Sequence, residues 1–344
     1  MQLSILRAPQ ELNQLAEEWN ELLQCCNASH VPFLRHEYLS TWWHTLGGGE
    51  WTQAELFVIT ARLPDGELAG IAPLFFTENR QGEPALLLLG SIEISDYLDL
   101  IARIKILPEF IERLLELLDS DQAPPWQALD WYNLPDSSPT LSVLKEMAGR
   151  RGWSFAQETL QHSPYIPLPG DWETYLAGLD KKQRHEIRRK MRRAEEHPLP
   201  VRWYIVQDES SLEGEVEAFL SLMAQDPEKD RFLTPAMRSQ MHAAAQVAFQ
   251  GGWLQLALLE VNGEKAAGYL NFDYHGHIWV YNSGLNFSFR ELSPGWVLLG
   301  HLLKWANEQG RKTFDFMRGD EEYKYRFGAI DRFVVRAVVR RPSP

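Results

Sequence analysis

WLQLALLEVNGEKAAGYLNFDYHGHIWVYNS, residues 253–283, runs in three stretches of alternating apolar and polar side chains, separated by Asn262-Gly263 and by Gly276. Asn-Gly supplies the positive φ that a two-residue hairpin turn needs, and Gly276 offers the same freedom at the second turn. The pattern predicts a three-stranded antiparallel meander over Trp253 to Val261, Lys265 to Tyr274 and His277 to Ser283. A shorter echo lies roughly 200 residues upstream. There Glu55 to Leu63, the turn Asp65-Gly66 and Glu67 to Thr77 read as a hairpin, and Glu67-Leu68-Ala69-Gly70 parallels Glu264-Lys265-Ala266-Ala267-Gly268 with one insertion.

Helices and strands alternate around both hairpins. Pro9 to Leu23, Phe33 to Leu46, Pro108 to Leu118 and Pro139 to Arg151 carry apolar residues at helical spacing, as do Gly214 to Ala224 and Thr234 to Phe249. Leu3 to Leu6, Ala85 to Leu89, Ala128 to Tyr132, Val201 to Val206 and Lys312 to Met317 read as strands. The proline-spaced segment Ser163 to Gly170 excludes helix and marks a boundary. The expected fold class is α/β (α+β): two tandem lobes, residues 1–160 and 161–344, each a mixed, mostly antiparallel sheet flanked by helices.

Composition narrows the functional classes. A net charge of −13 argues against a whole-body nucleic-acid binder, because neutralising phosphates needs a basic footprint. The two cysteines, Cys25 and Cys26, are adjacent and provide neither a disulfide framework nor a cysteine metal site, so no metal is expected. No stretch approaches the apolar length of a membrane helix, and the N-terminus lacks the charge and apolar pattern of a signal peptide. The expectation is a cytoplasmic protein without a membrane span.

Against this acidic background, Lys181 to Arg193 carries eight cations and one acid, Glu186. Such a helix is either a solvated face or an anion trap. In the second reading Arg184, Arg188 and Arg192, or Lys181, Arg188 and Arg189, share a face and converge on phosphate. Downstream, the strand exit Asn282-Ser283-Gly284 leads to a helix opened by Ser293-Pro294-Gly295. Free N–H groups of Gly295, Trp296 and Val297 would bind an anion such as a pyrophosphate; the plainer alternative is an ordinary Ser293 N-cap with Pro294 at the first helical position. A second strand then runs into the polar sequence Arg318-Gly319-Asp320-Glu321-Glu322-Tyr323-Lys324.

Taken together, Lys182 to Arg189, Tyr281 to Gly284, Leu292 to Gly295 and Phe314-Asp315-Phe316 with Arg318 to Gly328 resemble the GNAT acyltransferases of the CelD/BioF2-like group, relatives of the FemAB aminoacyl transferases. Val31-Pro32-Phe33 with Trp42, and the Gly90 to Asp99 loop, fit the same group. The resemblance implies two GNAT-like lobes, the N-terminal one degenerate and shaping the substrate cleft. It implies acetyl-CoA or another acyl-CoA as co-substrate, held near Ser283, Gly284, Ser293, Gly295, Trp296 and Val297. The acceptor would be an amine on a small molecule or glycan precursor: a sugar, amino acid or peptide-like compound.

Acyl transfer to an amine needs a held thioester, a stabilised oxyanion and a proton route. Backbone N–H groups over Val280 to Gly284 would polarise the carbonyl. Asp273, Asp315 or Asp320 would accept the proton and Tyr281 or Tyr323 would protonate the thiolate, with Asp320, Tyr323 and Lys324 the favoured set. Arg184, Arg188, Arg318 and Arg326 are the substrate and phosphate candidates. The competing reading of the polar run is an internal salt network, Arg318 with Asp320 and Glu321 with Lys324. Two other functions stay open: a FemAB-like transferase using aminoacyl-tRNA, the one case in which nucleic acid is a partner, and a catalytically silent scaffold in polysaccharide assembly.

Overall fold

The structure, a computed structural model, describes residues 1–342. The chain forms two compact units, Met1–Gln161 together with the C-terminal run from Arg332, and His162–Asp331. The first contains β1 (Gln2–Leu6), α1 (Pro9–Asn13), α2 (Ala16–Gln24), α3 (His36–Gly49), β2 (Glu55–Arg62) and β3 (Leu68–Glu78). It continues with β4 (Pro84–Leu88), β5 (Ile101–Ala102), α4 (Leu107–Leu118), β6 (Ala128–Pro135), α5 (Pro139–Arg150) and β7 (Ser154–His162). The second unit contains β8 (Tyr165–Pro167), α6 (Trp172–Gly178), α7 (Lys181–Glu195), β9 (Val201–Ile205), α8 (Glu209–Met223), α9 (Pro227–Phe232) and α10 (Pro235–Gln250). The predicted meander follows as β10 (Leu254–Val261), β11 (Glu264–Tyr274) and β12 (His277–Leu285). After it come α11 (Pro294–Glu308), β13 (Thr313–Asp315) and α12 (Glu322–Arg326). The last strand, β14 (Phe333–Arg340), belongs to the first sheet, whose order is β1-β2-β3-β4-β6-β14-β7 with β5 on β3.

That strand corrects the expected boundary at the C-terminal end. Residues 333–340 do not stay with the second unit: Val334, Val335, Ala337, Val338 and Val339 pair antiparallel with β6, and Arg336 meets Asp130 there. In the same unit α4 buries Leu107, Phe110, Ile111, Leu114, Leu115 and Leu118, the three-and-four spacing of one helix face. Gly70 on β3 lets that face approach, since a Cβ there would lie 2.9 Å from the Phe110 ring.

The second sheet has the order β8-β13-β12-β11-β10-β9. Its alternation decides which helix meets which face. Ala257, Leu259, Ala267, Tyr269, Ile278 and Val280 share a core with α7 and α11. Gly268 belongs to the opposite face, where a Cβ would meet Phe219 and Leu222 of α8. Gly284 lies still closer to α8: its Cβ would come 2.6 Å from the Met223 nitrogen and 2.7 Å from Leu222 Cβ. Helix backbone cannot rotate away, so Gly284→Ala should cost about 1–3 kcal/mol of stability. Urea unfolding followed by tryptophan fluorescence checks this, and an unchanged midpoint would refute it.

Two irregularities at one end of β12 prepare the site. The β11–β12 register slips so that Leu270 faces Asn282 while Asn271 faces Val280, leaving Tyr281 as the extra residue of a bulge. On its other edge β12 pairs with β13 only from His277 to Trp279. Beyond Trp279 the strand therefore runs to Leu285 without a strand neighbour on that side among the described residues.

Candidate active site

A cleft of about 340 Å³ opens where β12 parts from β13 and α11 begins. Leu285, Trp296 and Leu299 give it an apolar wall, while Lys190, Arg290 and Tyr323 bring polar groups to it. Ser293 stands at the helix start in the left-handed region, with φ 55°, and its hydroxyl caps none of the helix N–H groups. It is therefore not the ordinary N-cap that its sequence context allows. Gly295 packs where a Cβ would lie 2.6 Å from Leu285.

The first helical hydrogen bond runs from the Val297 N–H to the Ser293 carbonyl at 3.1 Å. Val297 is fully buried and its donor is spent, which removes the expected donor contact there. The N–H groups of Gly295 and Trp296 precede that bond and keep no intrahelical partner, as helix geometry requires. Trp296 adds a buried indole Nε1 without an acceptor among the described residues.

Lys190 reaches this helix end because α7 turns Ile187, Met191 and Ala194 inward, and Lys190 falls on the same side of the helix. Its Nζ lies 4.1 Å from the Trp296 ring centre and 3.5 Å from Glu186. Burial pulls its pKa below the ordinary lysine value, against the opposing pull of Glu186. One turn along α7, Arg193 Nε and Nη2 are buried without an acceptor among the described residues. Arg290 is exposed at the mouth of the cleft. At the cleft itself, the N–H groups of Gly295 and Trp296 with the cations Lys190 and Arg290 fit a diphosphate.

Of the expected chemical residues, Tyr323 alone lines this cleft. Burial raises its pKa well above the usual value of 10, with the neighbouring Tyr269 and Glu321 acting in the same direction, so the phenol is neutral. Lys324 is 2% exposed and does not line the cleft. Its ammonium donates to the carbonyls of Arg318 (3.0 Å) and Gly319 (2.9 Å) and pairs with Glu321 at 2.8 Å. It is a brace for the loop after β13, not a free cation. Asp315 is fully buried, and its Oδ1 accepts the Met317 N–H at 2.8 Å, holding a residue with φ 56°. Asp320 is exposed and outside the cleft lining. Ser283 lines the cleft, but its N–H already donates to Asn282 Oδ1 at 2.9 Å; Gly284 serves the α8 contact instead.

Residues 181–325 match the family model for the acetyltransferase (GNAT) domain. That segment is a GNAT-type acetyltransferase domain. No curated relative matches it in sequence. Among solved structures, FemX superposes with a TM-score of 0.65 at 12% identity, covering 98% of this chain and 97% of that one. L-PGS from Bacillus licheniformis gives 0.55 at 14% identity over 98% and 93% of the two chains. A tandem GNAT protein from the clavulanic acid biosynthesis pathway gives 0.50 at 12% identity over the full length of both. At these identities the likeness is one of fold, and it extends across both units.

Within the GNAT domain the expected arginines do not gather at the cleft. Arg184 Nη1 lies near the carbonyls of Leu176 (3.4 Å) and Ala177 (3.3 Å), closing the end of α6. Arg188 pairs with Glu173, and Arg326 pairs with Glu322 at 2.6 Å. Arg318 contributes its carbonyl to the Lys324 brace. Arg188, Arg189 and Arg192, with His185, Lys304 and Trp172, line a separate groove of about 590 Å³. Lys190, Arg290, Tyr269 and Asn286 line the cleft too, and sequence motifs do not mark them for it. The apolar spacing 187-191-194 on α7 marks the inward face and was the available signal for Lys190.

Proposed function

We propose that this protein is an acyl-CoA-dependent N-acyltransferase of the CelD/BioF2-like group, moving an acyl group, in the simplest case acetyl, directly to an amine. The observation that carries this reading is the meeting, in one cleft, of the free N–H groups of Gly295 and Trp296, the cations Lys190 and Arg290, and the neutral phenol of Tyr323 beside the open edge of β12. The helix start and the cations take the donor's diphosphate. The apolar wall accommodates its uncharged arm. The amine nitrogen attacks the thioester carbonyl, the C–N bond forms as the C–S bond breaks, the amine proton passes to water, and Tyr323 gives its proton to the departing thiolate. The unpaired thiols Cys25 and Cys26 suit a reducing, cytoplasmic setting.

Calorimetric titration with acetyl-CoA tests the reading. Wild type should bind, and Lys190→Met should bind about tenfold more weakly, the loss of one charge-assisted contact. Because burial lowers the Lys190 pKa, its charge is present below that value and lost as pH rises through it. The affinity that Lys190 contributes should fade on the alkaline side. Absence of binding at millimolar acetyl-CoA sinks the proposal.

The groove bearing Arg188, Arg189, Arg192, His185 and Lys304 favours a second reading, transfer from aminoacyl-tRNA. Trp172 on its wall offers a stacking surface among the cations. That reading requires tRNA binding that falls steeply with salt and is lost in Arg188→Ala/Arg192→Ala. Salt-insensitive or absent binding removes it.

A further inference from the structure

Lys229 has no part in the site as described so far. It projects from α9, and its ammonium donates to Asn282 Oδ1 at 2.9 Å and to the Ser283 carbonyl at 2.5 Å. Asn282 Oδ1 also accepts the Ser283 N–H at 2.9 Å. Both main-chain polar groups of Ser283 are thus held by one lysine and one asparagine side chain. In an extended residue the N–H and C=O point to the same side. Ser283 therefore presents both to the edge away from β11.

The place is specific. Ser283 lies two residues past the bulge at Tyr281, on the stretch of β12 that β13 has left. A strand with a slipped register and one open edge has no ladder to fix its pitch on that side. Lys229 and Asn282 supply the missing contacts. Their cost is visible: no carboxylate forms a direct ion pair with Lys229 among the described residues, and burial lowers its pKa. Asp226 and Glu321 face it as carboxylates and Lys324 opposes it as a like charge. A half-buried ammonium lacking a direct ion pair is a weak device for stability. It is a better device for setting geometry and potential beside a reacting carbonyl.

Resting on the acyl-transfer reading above, we propose that Lys229 is a positioning residue for that reaction. By clamping Asn282 and Ser283 it fixes the edge of β12 along which the acyl carbonyl lies, and it keeps positive charge on the side where the oxyanion develops. Asp226, Glu321 and Lys324, the other charges about it, set how much of that charge is felt.

The test compares wild type, Lys229→Met and Lys229→Arg. Steady-state turnover of acetyl-CoA, without and with an added amine, separates kcat from KM. Peptide-level hydrogen exchange reports on residues 280–286, and thermal melts report on the fold. Lys229→Met should lose about 100-fold in kcat, the scale of a misplaced or unstabilised carbonyl, while KM for acetyl-CoA stays within about threefold. Exchange over 280–286 should quicken about tenfold with the rest of the protein unchanged. Lys229→Arg should recover at least a tenth of the lost turnover. The inference is overturned if Lys229→Met keeps wild-type kcat, or if KM rises in step with the loss. It is also overturned if exchange over 280–286 does not change. If wild type neither binds nor turns over acetyl-CoA, the donor reading falls on its own, and the exchange result alone decides whether Lys229 holds the strand.

Discussion

Arg336→Met should destabilise the first unit by about 3–5 kcal/mol, the penalty for stranding a buried charge. Asp130 on β6 is fully buried, and Arg336 on β14 meets it with two nitrogens, Nε to Oδ1 at 2.6 Å and Nη2 to Oδ2 at 2.9 Å. Asn79 Nδ2 adds a third contact to the carboxylate at 2.9 Å, and the guanidinium lies 4.7 Å from the centre of the Tyr132 ring. Hydrogen bonding to Asp130, more than any other contact, raises the Arg336 pKa. Methionine fills the space of the stem but leaves the carboxylate without its cation. Denaturant unfolding followed by circular dichroism should show the first transition shifted, since a two-unit chain need not unfold in one step. Arg336→Lys keeps the charge but not the fork, so its loss should be smaller. Adding Asp130→Asn to Arg336→Met should restore part of the stability, because the stranded charge is then gone. A harmless Arg336→Met, or a double variant worse than the single, would show that the pair does not hold β14 in place.

That pair also explains what the sequence conceals. The meander was legible because its turns are local: Asn262 has φ 53° and Gly263 φ 83°, as an Asn-Gly hairpin requires. Phe333 to Arg340 has no such local partner. Its β ladder lies in β6, close to 200 residues earlier, and the Asp130–Arg336 pair adds a side-chain tie to that backbone pairing. The site divides in the same way. The helix start at Ser293-Pro294-Gly295 can be read from propensity, although the left-handed Ser293 and the spent Val297 N–H depend on how the chain enters α11. Grouping the α7 arginines by mutual spacing ignores which side of the helix is buried; Ile187, Met191 and Ala194 settle that, and they bring Lys190 to the cleft and send Arg188 and Arg192 to the other groove. Lys324 pairs with Glu321, as the salt-network reading expects, but residue spacing does not reveal that the chain turns three backbone carbonyls onto its ammonium as well.

Tyr323→Phe should lower kcat about 1000-fold, within the range seen for loss of a general acid, and leave KM for the donor within a few-fold. The phenol lines the cleft, and its ring packs edge-on to Phe316 at 6.0 Å between centres. Phenylalanine keeps that packing, so the melting temperature should hold while the proton is lost. The sign of the pH dependence follows from the environment. Burial, Tyr269 and Glu321 all favour the neutral form, so the acid is present at neutral pH and remains so past the ordinary tyrosine value. Wild-type kcat should rise as the acceptor amine loses its proton and then stay level, with no alkaline decline from Tyr323 below about pH 10. The decisive comparison uses two thioesters. A CoA thiolate is basic enough to need a proton as it leaves, whereas an aryl thiolate of much lower pKa departs without one. If Tyr323 is the acid, the variant's deficit should shrink at least tenfold with the aryl thioester. An equal deficit with both donors would assign Tyr323 to shaping the cleft and leave the thiolate to be protonated by water.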